Sequence, residues 1–349
     1  MPSLRAIPKG RVWSLVILAS LGIGSLGWLL VRKPPIERVL LLASSLDSQG
    51  HDFGAGMETL LSDHLEVLAG ATVTHAPGLP SLAELQRLPP GTWILRFQGR
   101  REGDRLLLAA EWTTIAKLLA GQQWSLAQAS AQEPSRSLDT FVAGWPLKVR
   151  HPYQGALVPH SPARFWSLLE GMSIRNDHEA SAHLEASQRL AGEEPNCATV
   201  WATLGDHLYR SLWVNPETAG VGLNSRTHRA FQEAVELIPG HPRATFLWSL
   251  MLTDTGNQST ALRALATAAE LRPGTPDLYL GFAYAGRTAG LLAGARKALL
   301  RRKELLGPLT TPSAWFVETT YLYLGDLDSF EQELARVLAL RQDLSLIHI

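Results

Sequence analysis

Few side chains in this sequence stand at spacings that do chemistry. The eleven histidines are scattered. His178 and His183 are five apart on an expected helix, so they do not share a face as an i,i+4 pair would. There is no H-E-x-x-H and no Cys/His ligand spacing. The expectation is surface or capping histidines, with no metal and no cofactor. Cys197 is the single cysteine, which excludes an internal disulfide and a Cys-cluster metal site. Asp52-Phe53-Gly54 spells a kinase magnesium motif, but no glycine-rich loop, strand lysine or H-R-D accompanies it. Gly54 is therefore expected to open a helix. No G-x-S-x-G and no P-loop occurs. No catalytic residue is assigned, and the chain is read as a non-enzyme.

Composition supports binding over catalysis. The 349 residues carry 32 Lys+Arg against 32 Asp+Glu, a net charge of zero. That removes the electrostatic footprint of a nucleic-acid binder. Hydrophobic residues make up 46% and charged ones 18%, so a sizeable core is expected.

Val12 to Val31 is a run of 20 uncharged residues, about 30 Å as a helix, which matches the hydrocarbon layer. Trp13 and Trp28 lie near its ends, and Pro34 and Pro35 stop it. The reading is a basic tail at 1–11 and a single transmembrane helix at 12–32 in contact with lipid. Its length and the absence of an A-x-A-like site argue against a cleaved signal peptide. Three local Lys/Arg stand on each side, so the short basic tail decides the orientation: N-terminus inside, bulk outside the inner membrane. Gly22-Ile23-Gly24-Ser25-Leu26-Gly27 spells a dinucleotide fingerprint, but inside this run it suits helix packing in lipid.

Residues 36–150 read as a small α/β domain. Arg38 to Ala43 is a buried-strand run, and Phe53 to Leu68 carries a helical stripe of Met57, Leu60, Leu61, Leu65 and Leu68. Ala71 to Ala76 is β-branched, and Leu82 to Leu88 is a short helix. Trp93 to Gln98 and Leu106 to Trp112 form a hairpin turning through Arg101-Glu102-Gly103-Asp104. A strand over Gln122 to Ala129 and a helix over Ser137 to Val149 close the domain. Gly56-Met57-Glu58-Thr59-Leu60-Leu61, the hairpin ending in Trp112, and Gly121-Gln122-Gln123-Trp124 resemble the TolB-like N-terminal domain. That resemblance implies a mixed sheet with flanking helices, placed between a membrane helix and tetratricopeptide repeats, as in CadC-type regulators. It implies signalling. Only eleven residues precede the membrane run, so no DNA-binding domain accompanies it. The family's Pro-Phe after the first strand is replaced by Ser44-Ser45-Leu46.

After a linker at 151–162, residues 163–342 repeat themselves. Pro239 to Pro273, Pro242 to Pro276, Gly256 to Gly290 and Ala261 to Ala295 are each 34 apart, the tetratricopeptide period. About five helical hairpins are expected. Ala261 and Ala295 would let paired helices approach, and Gly256, Gly290 and Gly325 would turn between them. An insertion is expected over Leu212 to Asn224, with Trp213 and Val214 exposed. The end at 343–349 is apolar and off the pattern, as a truncated or non-native tail would be.

A tetratricopeptide solenoid stacks into a concave groove. The family binds peptides along first-helix residues. By that resemblance the groove is lined by Asp206, Tyr209 and Arg210, then Arg243, Phe246, Leu250 and Asp254, then Asp277, Leu280, Tyr284 and Arg287. Arg210, Arg243 and Arg287 would form a guanidinium ladder gripping carboxylates. The alternative is that these arginines are paired with Asp206, Asp254 and Asp277. The sequence thus describes a membrane-tethered interaction scaffold or sensor arm for a protein or peptide. An envelope assembly or secretion accessory factor is the other reading, and self-association is compatible with both.

Overall fold

In a computed structural model, the described residues are 37–42, 45–48, 51–76, 78–102, 105–131, 138, 156–174, 176–214, 221–307 and 316–340. The expected membrane helix at 12–32, the hairpin tip at 103–104 and the tail at 343–349 lie outside them. So does the closing helix at 137–149, apart from Leu138, which is buried. Among the described residues no helix is long and apolar enough to cross a membrane.

The α/β part is one sheet flanked by helices. Strand β1 (Arg38–Leu42) pairs parallel with both β4 (Thr72–Ala76) and β5 (Trp93–Glu102). Strand β2 (Ser45–Ser48) continues along β5 beyond β1, and β3 (His51–Asp52) turns back on β2. The expected loop at Ser44-Ser45-Leu46 is therefore partly strand, because the ten-residue β5 offers ladder partners past the end of β1. On its other side β5 pairs antiparallel with β6 (Arg105–Thr114), which pairs with β7 (Ser125–Ala131). Helix α1 (Gly54–His64) joins the first strands to β4 and ends in one π turn, Leu65–Ala69. The short helices α2 (Leu82–Leu85) and α3 (Ile115–Leu119) complete this part; the sequence reading places no helix at α3.

Among the described residues eleven further helices follow: α4 (Pro162–Ser173), α5 (Asp177–Ala182), α6 (Leu184–Glu193), α7 (Ala198–Val214), α8 (Val221–Leu237), α9 (Pro242–Asp254), α10 (Gln258–Leu271), α11 (Pro276–Thr288), α12 (Leu292–Leu306), α13 (Phe316–Tyr323) and α14 (Leu327–Leu340). They form antiparallel hairpins of the tetratricopeptide type. The markers take equivalent roles. Pro242 and Pro276 begin first helices, where the missing N–H costs nothing. Gly256, Gly290 and Gly325 turn between paired helices at φ +83°, +76° and +69°, a region that penalises a Cβ. Ala261 and Ala295 are fully buried. A Cβ on Gly205 would lie 2.5 Å from the Phe231 ring, so this glycine sets the approach of α7 to α8. The 212–224 stretch is not a simple exposed loop: α7 and α8, of 17 residues each, absorb most of it at both ends.

The two parts share a core. Met57, Leu60 and Leu61 of α1 sit in one cluster with Phe165, Trp166 and Leu169 of α4. Gly56 makes that contact possible, because a Cβ there would lie 2.6 Å from the Leu169 carbonyl and 2.5 Å from Ser173 Oγ. The 151–162 stretch is not a solvated linker throughout: Leu157 and Val158 are buried, and Ala156 bridges to Cys197.

Three polar clamps fix the sheet to the edge of the solenoid. Arg272 donates from Nε to the Gly240 carbonyl at 3.0 Å and from Nη1 to the Val67 carbonyl at 2.6 Å. Thr72 Oγ1 donates to the Gly274 carbonyl at 2.6 Å. Arg38 donates to the Leu305 carbonyl at 2.8 Å, at the negative end of α12. Arg272 and Gly274 lie just past the end of α10 and Leu305 lies in the last turn of α12, so these contacts fall at the ends of two successive second helices.

The Gly56→Ala variant should lower stability by roughly 1–3 kcal/mol, because backbone carbonyl and hydroxyl must both move. The same change at Gly192, exposed in α6 with open space around it, should be neutral or stabilising by up to about 1 kcal/mol. Urea midpoints of the two variants check this, and equal shifts would refute the packing role of Gly56.

Candidate functional site

The first helices α7, α9 and α11 lie side by side and present their polar edge to a groove. A cavity of about 470 Å³ opens there. Asp206, Tyr209, Arg210, Phe246, Leu250, Asp254 and Tyr284 line it, all expected at the groove. Asp177, Trp213 and Leu247 complete the wall. Trp213, 60% exposed, stands at the rim with its ring 6.3 Å from that of Tyr209. Arg243, Asp277 and Leu280 line a second cavity of about 450 Å³, which shares Asp206, Arg210, Phe246 and Leu247 with the first. Arg287 lines neither.

The arginines are not a free ladder. Asp206 accepts from Arg210 Nε at 3.0 Å and from Arg243 Nη2 at 3.3 Å. Arg243 also donates to Thr203 Oγ1 at 3.1 Å. Burial pushes the Asp206 carboxyl up, but Arg243 and Arg210 outweigh it and hold the group below its usual range. Arg287 donates to Thr319 Oγ1 at 2.5 Å and lies over the rings of Tyr284 and Tyr323. The expected ladder is therefore corrected: Arg243 and Arg287 tie successive units together, and Arg210 pairs with Asp206 on its own helix. The paired reading holds for Asp206. Asp254 instead accepts the hydroxyls of Tyr209 and Tyr284, the latter at 2.5 Å. Burial and that carboxylate raise both phenols, which stay neutral donors. Asp277 is exposed.

The second cavity lies where α1 and β4 meet the groove. Its charged lining is Asp63, Glu66, Asp206 and Asp277 with Arg210, Arg243 and Arg302. Asp63 is 2% exposed, and its Oδ2 has no hydrogen-bond partner among the described residues. Burial pushes its carboxyl up to about 7, with Arg243 pulling the other way. Glu66 is held well above the usual range by burial and then by repulsion from Asp277 and Asp63. Sequence reasoning does not single out these acids. The available signal is a carboxylate three residues after Leu60 on an apolar helical stripe.

Among the described residues three histidines are buried rather than at the surface: His64, His207 and His241. His207 Nε2 lies 3.1 Å from the Gly171 carbonyl and must donate, so Nδ1 accepts from Ser187 Oγ at 2.7 Å. Burial lowers His207 to about 4 and His241 to about 3. His241 does cap α9, accepting from the Ala244 N–H. Burial pushes the Cys197 thiol up to about 12, far from a reactive thiolate. Among the described residues no group of His, Cys, Asp and Glu is placed to hold a metal ion.

No family model matches the chain, and no curated protein matches it in sequence. Solved structures similar to parts of it include MamA from Desulfovibrio magneticus RS-1, at 16% identity over 48% of this chain and 88% of that one, TM-score 0.33. A MamA point mutant matches at 17% identity over 41% and 77%, TM-score 0.31. PilW, a widely conserved type IV pilus biogenesis factor, matches at 14% identity over 52% and 94%, TM-score 0.33. Scores this low assign no function, and the repeat stands on the chain's own period and turns.

Asp63 titrates near 7 when folded and near 3.8 when unfolded, so the folded state binds the extra proton between those values. Its contribution therefore falls as pH rises from about 4 to 7 and stays low above 7. Asp63→Asn removes that loss. Relative to the parent it should gain roughly 2–4 kcal/mol between pH 4 and pH 8, since each pH unit between the two values is worth about 1.4 kcal/mol. His207 and His241 act oppositely, since both are held neutral: their contribution is lost as pH falls below about 6.5. They are common to both proteins and cancel in the difference. Urea unfolding at pH 4, 6 and 8 measures it, and a difference independent of pH would refute the assignment.

Proposed function

We propose that this chain is a non-catalytic, membrane-tethered interaction protein that holds a protein segment in the groove of its repeats. One observation carries the reading: groove positions expected from the repeat converge on one cavity with an aromatic and aliphatic wall. Tyr209, Trp213, Phe246 and Tyr284 offer ring faces, with Leu247 and Leu250 between them. Such anchors dominate protein interfaces. The carboxylates of Asp177, Asp206 and Asp254 line the same cavity against Arg210. The segment that fits is therefore apolar with a basic residue, not acidic. Tethering rests on the uncharged run from Val12 to Val31. The resemblance of the α/β part to the TolB-like domain favours signalling over envelope assembly, with the bulk of the chain outside the inner membrane.

One observation favours catalysis: the Asp63 carboxyl, pushed up to about 7 in a polar cavity, suits proton transfer. A carboxyl in that state serves equally as a ligand group.

The test is photo-crosslinking in membranes, with p-benzoylphenylalanine at Leu250 and, as control, at exposed Arg229. A discrete partner band should form from Leu250 alone. Trp213→Ala should weaken that band at least about five-fold without changing the urea midpoint, because Trp213 is largely exposed. Equal labelling from both positions, or indifference to Trp213, would sink the groove reading. Removal of residues 12–31 should release the chain from the membrane fraction.

A further inference from the structure

The second cavity is built as a site for a cation. Asp63 and Glu66 are three residues apart, at the junction of α1 with its π turn, so they are neighbours on the helix surface. Asp277, from α11, faces Glu66 closely enough to repel it. Three carboxylates from two elements thus converge on a space of about 450 Å³, within the range of small-ligand sites. Asp63 is 98% buried and lines that space. One of its oxygens has no partner among the described residues, which in a buried carboxylate is costly unless a donor arrives.

The cations already there are committed. Arg243 and Arg210 both bind Asp206, and Arg272 spends its donors on the carbonyls of Gly240 and Val67. Arg302 is buried in the wall of the cavity. Metal geometry is not offered by these carboxylates, since no cluster of the described residues is placed for an ion. Thr59, Ser62, Thr74 and His75 line one part of the wall, and Val73, Met172, Phe246, Leu280 and Leu306 give it an apolar part. A donor with positive charge on an aliphatic stem satisfies both halves of the lining.

We propose that this cavity binds a primary alkylammonium group, with its nitrogen among Asp63, Glu66 and Asp277 and its alkyl stem against Phe246, Leu280 and Leu306. The ammonium supplies the donor that Asp63 Oδ2 lacks and relieves the repulsion among the three carboxylates. The group could be carried by a free amine or by a lysine side chain of a partner. This site adjoins the aromatic groove, with which it shares Phe246, while Asp63, Glu66 and Asp277 line this cavity and not the groove.

The experiment is calorimetric titration of the purified full chain at pH 8 with three probes of equal length: 1-aminopentane, pentan-1-ol and pentanoate. The amine should bind at least ten-fold more tightly than the alcohol or the acid. Asp63→Asn should weaken the amine ten-fold or more, and Asp277→Asn, at an exposed position, about three-fold. Glu185→Gln, on a distant exposed helix face, should leave it unchanged. N-acetyl-lysine methylamide distinguishes the sources: binding within three-fold of 1-aminopentane indicates a lysine side chain, and exclusion indicates a free amine. Pentanoate binding best would make this an anion site built on Arg302 and overturn the proposal. So would equal binding of amine and alcohol, no binding of any probe, or an amine affinity indifferent to both aspartate changes.

Discussion

The Arg272 guanidinium is 3% exposed and donates to two backbone carbonyls on opposite sides of an interface. A buried guanidinium cannot shed its proton, so its place in the fold depends on those acceptors being held at fixed positions. One belongs to the turn between α8 and α9, the other to the π turn that ends α1. The geometry of the first repeat turn and that of the α/β part are thereby made interdependent. Thr72 binds the turn that carries Arg272, at the Gly274 carbonyl, and Arg38 binds the C-terminal end of α12. The α/β part is seated on the solenoid at the ends of α10 and α12, and α1 lies against α4 because Gly56 leaves room for it.

That seating creates the second cavity. A repeat groove alone would present Asp277, Leu280 and Arg243 to solvent. With α1 laid across its edge, the same residues face Asp63 and Glu66 across a partly enclosed space. Burial is the main cause that raises both Asp63 and Glu66, and repulsion from Asp277 and Asp63 adds to the rise at Glu66. The neighbouring cavity is governed differently. There Asp206 and Asp254 act as acceptors that lace α7 to α9 and α9 to α11 through arginine and tyrosine. The polar groups of the concave face first hold the repeats in register, and the aromatic surfaces that remain are what a partner meets.

Much of this was legible in the chain. Period-34 spacing of proline, glycine and alanine specified helix starts, turns and close contacts, because each marker acts through its own backbone or through a neighbour at a fixed offset. Alternation in Trp93 to Trp112 specified the hairpin for the same reason. The strand at Ser45–Ser48 was not legible, since four residues without an apolar pattern become a strand only because β5 is long enough to pair with them. Nor was the burial of His207, whose neutral ring is required by a carbonyl 36 residues away and a hydroxyl 20 residues away.

The sequence by itself determined the repeat and the α/β order, because periodicity and local propensity are properties of neighbouring residues. The tertiary structure alone decided what those residues do. Arg210, Arg243 and Arg287 look like ligand grips when counted along first helices. Which acid or hydroxyl meets each guanidinium depends on the stacking of separate units, and that stacking turned them inward. Asp63 is one acid among many in the chain. It becomes a candidate ligand group because α1 is pressed against the solenoid, where burial raises its carboxyl against the pull of Arg243.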